Sequence, residues 1–188
     1  NLPATSVCDD ATFFRRLHLD VTGRLPEADA IREFLADQQP DKRQAAIDWL
    51  LSTPAHVDLW TLKLLDLLKA ADFGVYADAL SKEHDAPRMQ AWVRARLAEN
   101  LPYDEFVARI LLATSREGRP MSEYATEVQA MFEGYAPGRP DLEKYAARKT
   151  LDLFWQRRAS DGVKGTLQVA HAFLGLRLEC AQCHRHPH

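Results

Sequence analysis

Apolar residues recur at i, i+3, i+4 along almost the whole chain, and this helical period is the feature that most constrains its fold. No run alternates apolar and polar residues with β-branched enrichment, so strands are not expected. Proline, glycine and small capping residues divide the pattern into segments of helix length. Asp9 or Asp10 can cap a first helix through Phe13, Phe14, Leu17 and Val21, with Gly23 closing it. Pro26 suits the first position of a second helix, which carries Ile31, Phe34 and Leu35. Pro40 and Asp41 open a third, with Ile47, Leu50 and Leu51 inward. Ser52-Thr53-Pro54 is a further break, followed by a helix carrying Val57, Trp60, Leu64, Leu65, Leu67 and Leu68.

Residues 72–84 read as a long polar loop, and Asp85-Ala86-Pro87 as the start of the next helix, with Met89, Trp92, Val93 and Leu97. Pro102 starts another, with Phe106, Val107, Ile110 and Leu111. Residues 115–141 are rich in glycine and proline and read as a surface segment with one short helix near Glu123 to Phe132. A longer helix is expected from Leu142 through Tyr145, Leu151, Phe154 and Trp155, and a last one from Gly162 through Leu167, Val169, Ala170, Phe173 and Leu174. Trp49, Trp60, Trp92 and Trp155 sit at apolar helical positions and are expected in the core. The reading is all-α: a single multi-helix domain over residues 1–188, the N-terminal part of a longer chain.

Composition narrows the function. With 188 residues, 46% of them apolar, the chain can bury a core without disulfide staples. Lys and Arg number 24 against 27 Asp and Glu, which leaves no electrostatic footprint for nucleic acid. No stretch approaches the roughly 18 apolar residues of a membrane span. Asn1-Leu2-Pro3-Ala4-Thr5 has neither a basic nor an apolar leader region. Three cysteines are too few for a disulfide framework, and Cys8 is expected as a free thiol.

The other two cysteines carry chemistry. Cys180-Ala181-Gln182-Cys183-His184 is a C-x-x-C-H pentapeptide, the attachment signature for c-type haem. Two thiols three positions apart on a helical turn can each add to one porphyrin vinyl group, and the adjacent histidine then falls under the iron as proximal ligand. The motif is expected at the C-terminal end of the last helix. Three other readings compete. The cysteines could form a zinc site with His184, His186 or His188, or a redox dithiol, although no βαβ pattern supports the latter, or the string could be accidental. His186 could orient the site through hydrogen bonds. Arg177 and Arg185 flank the motif and are candidates to pair with haem propionates. The distal iron ligand is not specified. His171 stands nine residues before Cys180, about 13 Å along a continuous helix, and would need a bend, for instance at Gly175. Met89, Met121 and Met131 are thioether candidates, and His18, His56 and His84 stand beside them.

The segment Ala172 to Pro187, with its Cys180-x-x-Cys183-His184-x-His186-Pro187 string, resembles the end of the planctomycete cytochrome-C-like domain family, formerly a domain of unknown function. Ala11-Thr12-Phe13-Phe14-Arg15-Arg16-Leu17-His18-Leu19-Asp20-Val21-Thr22-Gly23-Arg24-Leu25-Pro26 is similar to the family's opening. Asp41-Lys42-Arg43, Trp60 and Leu101-Pro102-Tyr103-Asp104-Glu105-Phe106 fit its middle. The resemblance implies one covalent haem c and export to the periplasm or cell surface. His188 departs from the family, which usually has Phe after that proline.

The expected function is single-electron transfer to a redox partner protein or membrane complex, in preference to catalysis. A haem enzyme or gas sensor would need an open iron position. A structural domain or accessory subunit, with zinc or no metal at the Cys/His cluster, is the other alternative. No paired-carboxylate site, phosphate-cradling loop or Ser-His-Asp order points to a hydrolase or nucleotide-binding protein.

Overall fold

A computed structural model describes residues 6–69, 79–133, 141–156 and 162–183. Among the described residues there are ten α-helices, one 3₁₀ turn and no strand, so the all-α expectation holds. Contacts divide the chain into two compact units, residues 1–60 and 61–188, and the division falls inside one helix.

The first unit contains α1 (Asp10–Thr22), α2 (Ala28–Ala36), α3 (Lys42–Leu51) and the start of α4 (Pro54–Leu67). Its first helix has the caps read from sequence. Asp9 Oδ1 accepts the Thr12 N–H at 2.7 Å, and Gly23 ends the helix at φ 69°. That left-handed conformation favours glycine, and a Cβ there would stand 3.0 Å from Leu59 Cδ1. Pro26 lies ahead of α2 instead of opening it, because Glu27, in extended conformation, is the residue before the first helical turn. Phe14 stacks on Phe34 with ring centres 4.3 Å apart, and Leu17 and Leu50 are buried.

Charge ties α1 to α3. Asp10 meets Lys42 Nζ at 2.7 Å and Arg43 Nη2 at 2.6 Å. Hydrogen bonds from Lys42 and Arg43 hold its carboxyl below the usual range. Arg43 also donates to the Cys8 carbonyl at 2.8 Å and lies over the Phe13 ring. The core expectation fails for three residues here. Trp49 is 57% exposed, and Leu51 and Trp60 are also exposed. Helix α3 buries only Leu50, and its neighbours Trp49 and Leu51, each turned by about 100° on the helix, face outward.

The second unit contains the rest of α4, then α5 (Ala79–Ala98), α6 (Tyr103–Leu111), α7 (Met121–Phe132), α8 (Leu142–Ala146), α9 (Leu153–Gln156), α10 (Gly162–Leu174) and the 3₁₀ turn Glu179–Gln182. Its core joins Met89, Trp92 and Val93 of α5 to Phe106 and Ile110 of α6, and to Tyr145, Leu151 and Phe154. Gln168 of α10 donates to the Leu67 carbonyl at 3.0 Å, tying that helix to the end of α4.

Two expectations change in this unit. Helix α5 starts at Ala79, six residues before Asp85, with Pro87 inside it. The rest of the expected 72–84 loop lies outside the described residues. An interior proline costs a helix about 3 kcal/mol. Met89, Trp92 and Val93 are completely buried just beyond it, and their burial offsets that cost. The helix expected over 142–155 is broken into α8 and α9. Tertiary bonds take the backbone between them: the Arg148 carbonyl accepts the Trp92 indole N–H at 3.0 Å and Arg96 Nη1 at 3.0 Å, and Leu151 N–H donates to the Arg109 carbonyl at 3.1 Å.

Candidate functional site

Cys180 to Cys183 are not on the last helix. Gly175, at φ 67°, ends α10 after Leu174, and Leu176 N–H folds back onto the Ala170 carbonyl at 3.0 Å. The bend considered for Gly175 is therefore present. Four residues later the chain enters the 3₁₀ turn, closed by the Ala181 N–H donating to the Leu178 carbonyl at 3.0 Å. A 3₁₀ turn has about three residues per turn, so the backbone positions 180 and 183 fall on one side. Ala181, Gln182 and Cys183 are exposed, and Cys183 is a free thiol. Glu179 Oε1 lies 3.9 Å from Lys69 Nζ, at the end of α4. His184, Arg185 and His186 lie outside the described residues, as does the side chain of Cys180.

A cavity of about 760 Å³ opens beside this segment. Its apolar wall includes Trp155, Val169, Ala170, Leu174 and Leu178, the last only two residues before Cys180. Gly165 of α10 belongs to the same wall, where a Cβ would meet Trp155 Cζ3 at 3.5 Å. The Trp155 indole is fixed by donating to the Ile110 carbonyl at 2.9 Å. The polar end is formed by Thr114, Ser115, Gln156 and Asp152.

Asp152 belongs to a buried charge network that the sequence reading did not find. Its Oδ1 accepts the Tyr145 hydroxyl at 2.8 Å and Arg148 Nη1 at 2.8 Å, and its Oδ2 accepts Gln156 Nε2 at 2.7 Å. Arg148 also donates to the Ser115 carbonyl at 2.7 Å and has Glu127 Oε1 3.1 Å from Nε. Burial, then the Asp152 charge, pushes the Tyr145 phenol well above its ordinary value. Burial works against the charge on Arg148, but Asp152, Tyr145 and Glu127 outweigh it and strengthen its hold on the proton. The spacing of Arg148 and Asp152 is the one available signal, since an i, i+4 pair can meet on a helix. Nothing local marks that pair as buried.

The candidate distal ligands scatter. Met89 and Met131 are sealed in the core, whereas Met121 is 62% exposed. His171 is half-buried on α10. Arg177 is exposed on the segment leading to the motif. In the first unit, His56 Nδ1 lies 3.1 Å from the Val21 carbonyl, and His18 is buried edge-on against Phe14. Burial holds the His18 imidazole below its ordinary pKa. The His84 side chain lies outside the described residues. Among the described residues no three His, Cys, Asp or Glu side chains are grouped to hold a metal ion, and no helix is long and apolar enough to cross a membrane.

The model of one family, PSCyt2, described as a protein of unknown function (DUF1549), matches residues 1–188. No curated protein and no solved structure matches the chain.

Proposed function

The chain belongs to the PSCyt2 family, and on that premise we propose that it is a c-type haem module that exchanges single electrons with a protein partner after export to the periplasm or cell surface. The observation that carries this reading is the Cys180-x-x-Cys183-His184 pentapeptide, whose first three residues lie on the 3₁₀ turn Glu179–Gln182. The family label, which hints at a cytochrome-like domain, agrees with it.

The residues present fit the group. Two thiols and one imidazole in this order are the donor set of a covalently held haem. The free, exposed thiol of Cys183 is open to thioether formation. The bound haem would supply a one-electron iron couple. The chain's own part is to hold it, through Cys180 and Cys183, and to ligate it through His184. The exposed turn leaves the attachment segment within reach of a partner surface, and the interspersed surface charges favour a protein partner over nucleic acid.

The test is production of the chain with an export signal in cells that carry a c-type haem maturation system, followed by a pyridine haemochrome spectrum. One covalent haem per chain is expected, lost in Cys180→Ala/Cys183→Ala. Folded protein with bare thiols, or with stoichiometric zinc and no iron, would overturn the reading.

A further inference from the structure

We propose that the cavity between α9, α10 and the segment that follows α6 is the seat of the tetrapyrrole face, so that the haem attached at Cys180 and Cys183 lies against Trp155 and α10 instead of standing free on the surface. This rests on the haem reading above.

Three independent features of the chain converge on it. The first is continuity: Leu178, which lines the cavity, is joined to Cys180 by one residue, and the 3₁₀ turn starts at that residue. A macrocycle tethered at positions 180 and 183 therefore meets this wall at a very high effective concentration. The second is size and polarity. About 760 Å³ lies within the range of sites that enclose a cofactor-sized ligand, roughly 300–1,000 Å³. One side is apolar, and Leu174, which lines it, is 65% exposed. An exposed leucine in the wall of an apolar cavity gains from being covered by a flat apolar group. The third is Gly165. It is buried within α10, where glycine is a poor helix former, it lines the cavity, and a Cβ there would meet Trp155 Cζ3 at 3.5 Å. A larger residue would take up space beside that ring.

The experiment compares wild type with Gly165→Leu and Leu174→Asp, all exported with haem maturation. It reads covalent haem by the haemochrome spectrum and haem environment by Soret circular dichroism. Leu174 is mostly exposed, so its replacement leaves the apoprotein helical by far-ultraviolet circular dichroism even where Gly165→Leu does not fold. In parallel, the Cys180→Ala/Cys183→Ala apoprotein is titrated with free iron protoporphyrin. The proposal predicts a Soret dichroism signal in wild type that falls by about half or more in both variants, and free-porphyrin binding weakened about tenfold by either change, a difference of 1.4 kcal/mol. Wild-type protein that carries covalent haem while both variants keep its Soret signal and porphyrin affinity would overturn the cavity seat and leave the haem function standing. Folded wild-type protein without covalent haem would overturn the function, and the seat with it.

Discussion

Replacing Asp152 with alanine removes the centre of the buried charge network between α8 and α9. Asp152 is 1% exposed, and its carboxylate accepts from Tyr145, Arg148 and Gln156 at 2.7 to 2.8 Å. Its loss leaves the Arg148 guanidinium, 7% exposed, without its closest counter-charge. Breaking a buried ion pair from one side costs about 3–5 kcal/mol. The lower end applies here, because Glu127 Oε1 remains 3.1 Å from Arg148 Nε. The buried Tyr145 hydroxyl also loses its acceptor, at about 1 kcal/mol. The expected destabilisation of the second unit is therefore about 4 kcal/mol. Small proteins lose about 1–3 kcal/mol of stability per molar urea, so the unfolding midpoint should fall by about 1–4 M. Urea titration followed by tryptophan fluorescence measures this directly, since Trp92 donates to the Arg148 carbonyl within the network. Asp152→Asn keeps an acceptor for Tyr145 and loses only the charge, so its cost should be smaller, about 2 kcal/mol. If both variants unfold within about 0.5 kcal/mol of wild type, as ordinary surface substitutions do, the network is not what holds this turn.

Two further expectations follow from single groups. The Tyr145 phenol is held neutral in the folded chain by burial and by Asp152, so its stabilising contribution is complete below the unfolded phenol value of about 10 and is lost as pH rises through the folded one. An alkaline stability titration should show this loss in wild type and a shallower one in Tyr145→Phe; equal slopes would refute the assignment. Gly23→Ala forces a side chain into a left-handed conformation against Leu59 and should destabilise the first unit by about 1–2 kcal/mol, seen as a lower thermal midpoint. An unchanged midpoint would show that this helix end relaxes freely.

What could be read from the chain alone was set by local chemistry. Asp9, Gly23, Pro54 and Pro102 mark helix ends because each acts on backbone conformation or backbone groups within a turn of itself. The same holds for C-x-x-C-H, whose thiols and imidazole are fixed by spacing without reference to the rest of the fold. Other features needed partners distant in sequence. Pro87 reads locally as a helix start, yet α5 runs through it because Met89, Trp92 and Val93 are buried by other helices. The periodicity from Leu142 to Trp155 is helical, yet Trp92 and Arg96, more than fifty residues earlier, take the Arg148 carbonyl and the helix breaks there. Trp49 and Trp60 carry the same apolar signal as Trp92, and only packing decided that they face outward. Sequence by itself determined the helical class and the chemical motif, because periodicity and ligand spacing are short-range. Tertiary structure alone decided where Cys180 to Cys183 sit, off the last helix and beside an apolar cavity, because that cavity is assembled from α9, α10 and the segment after α6 by contacts that no local pattern encodes.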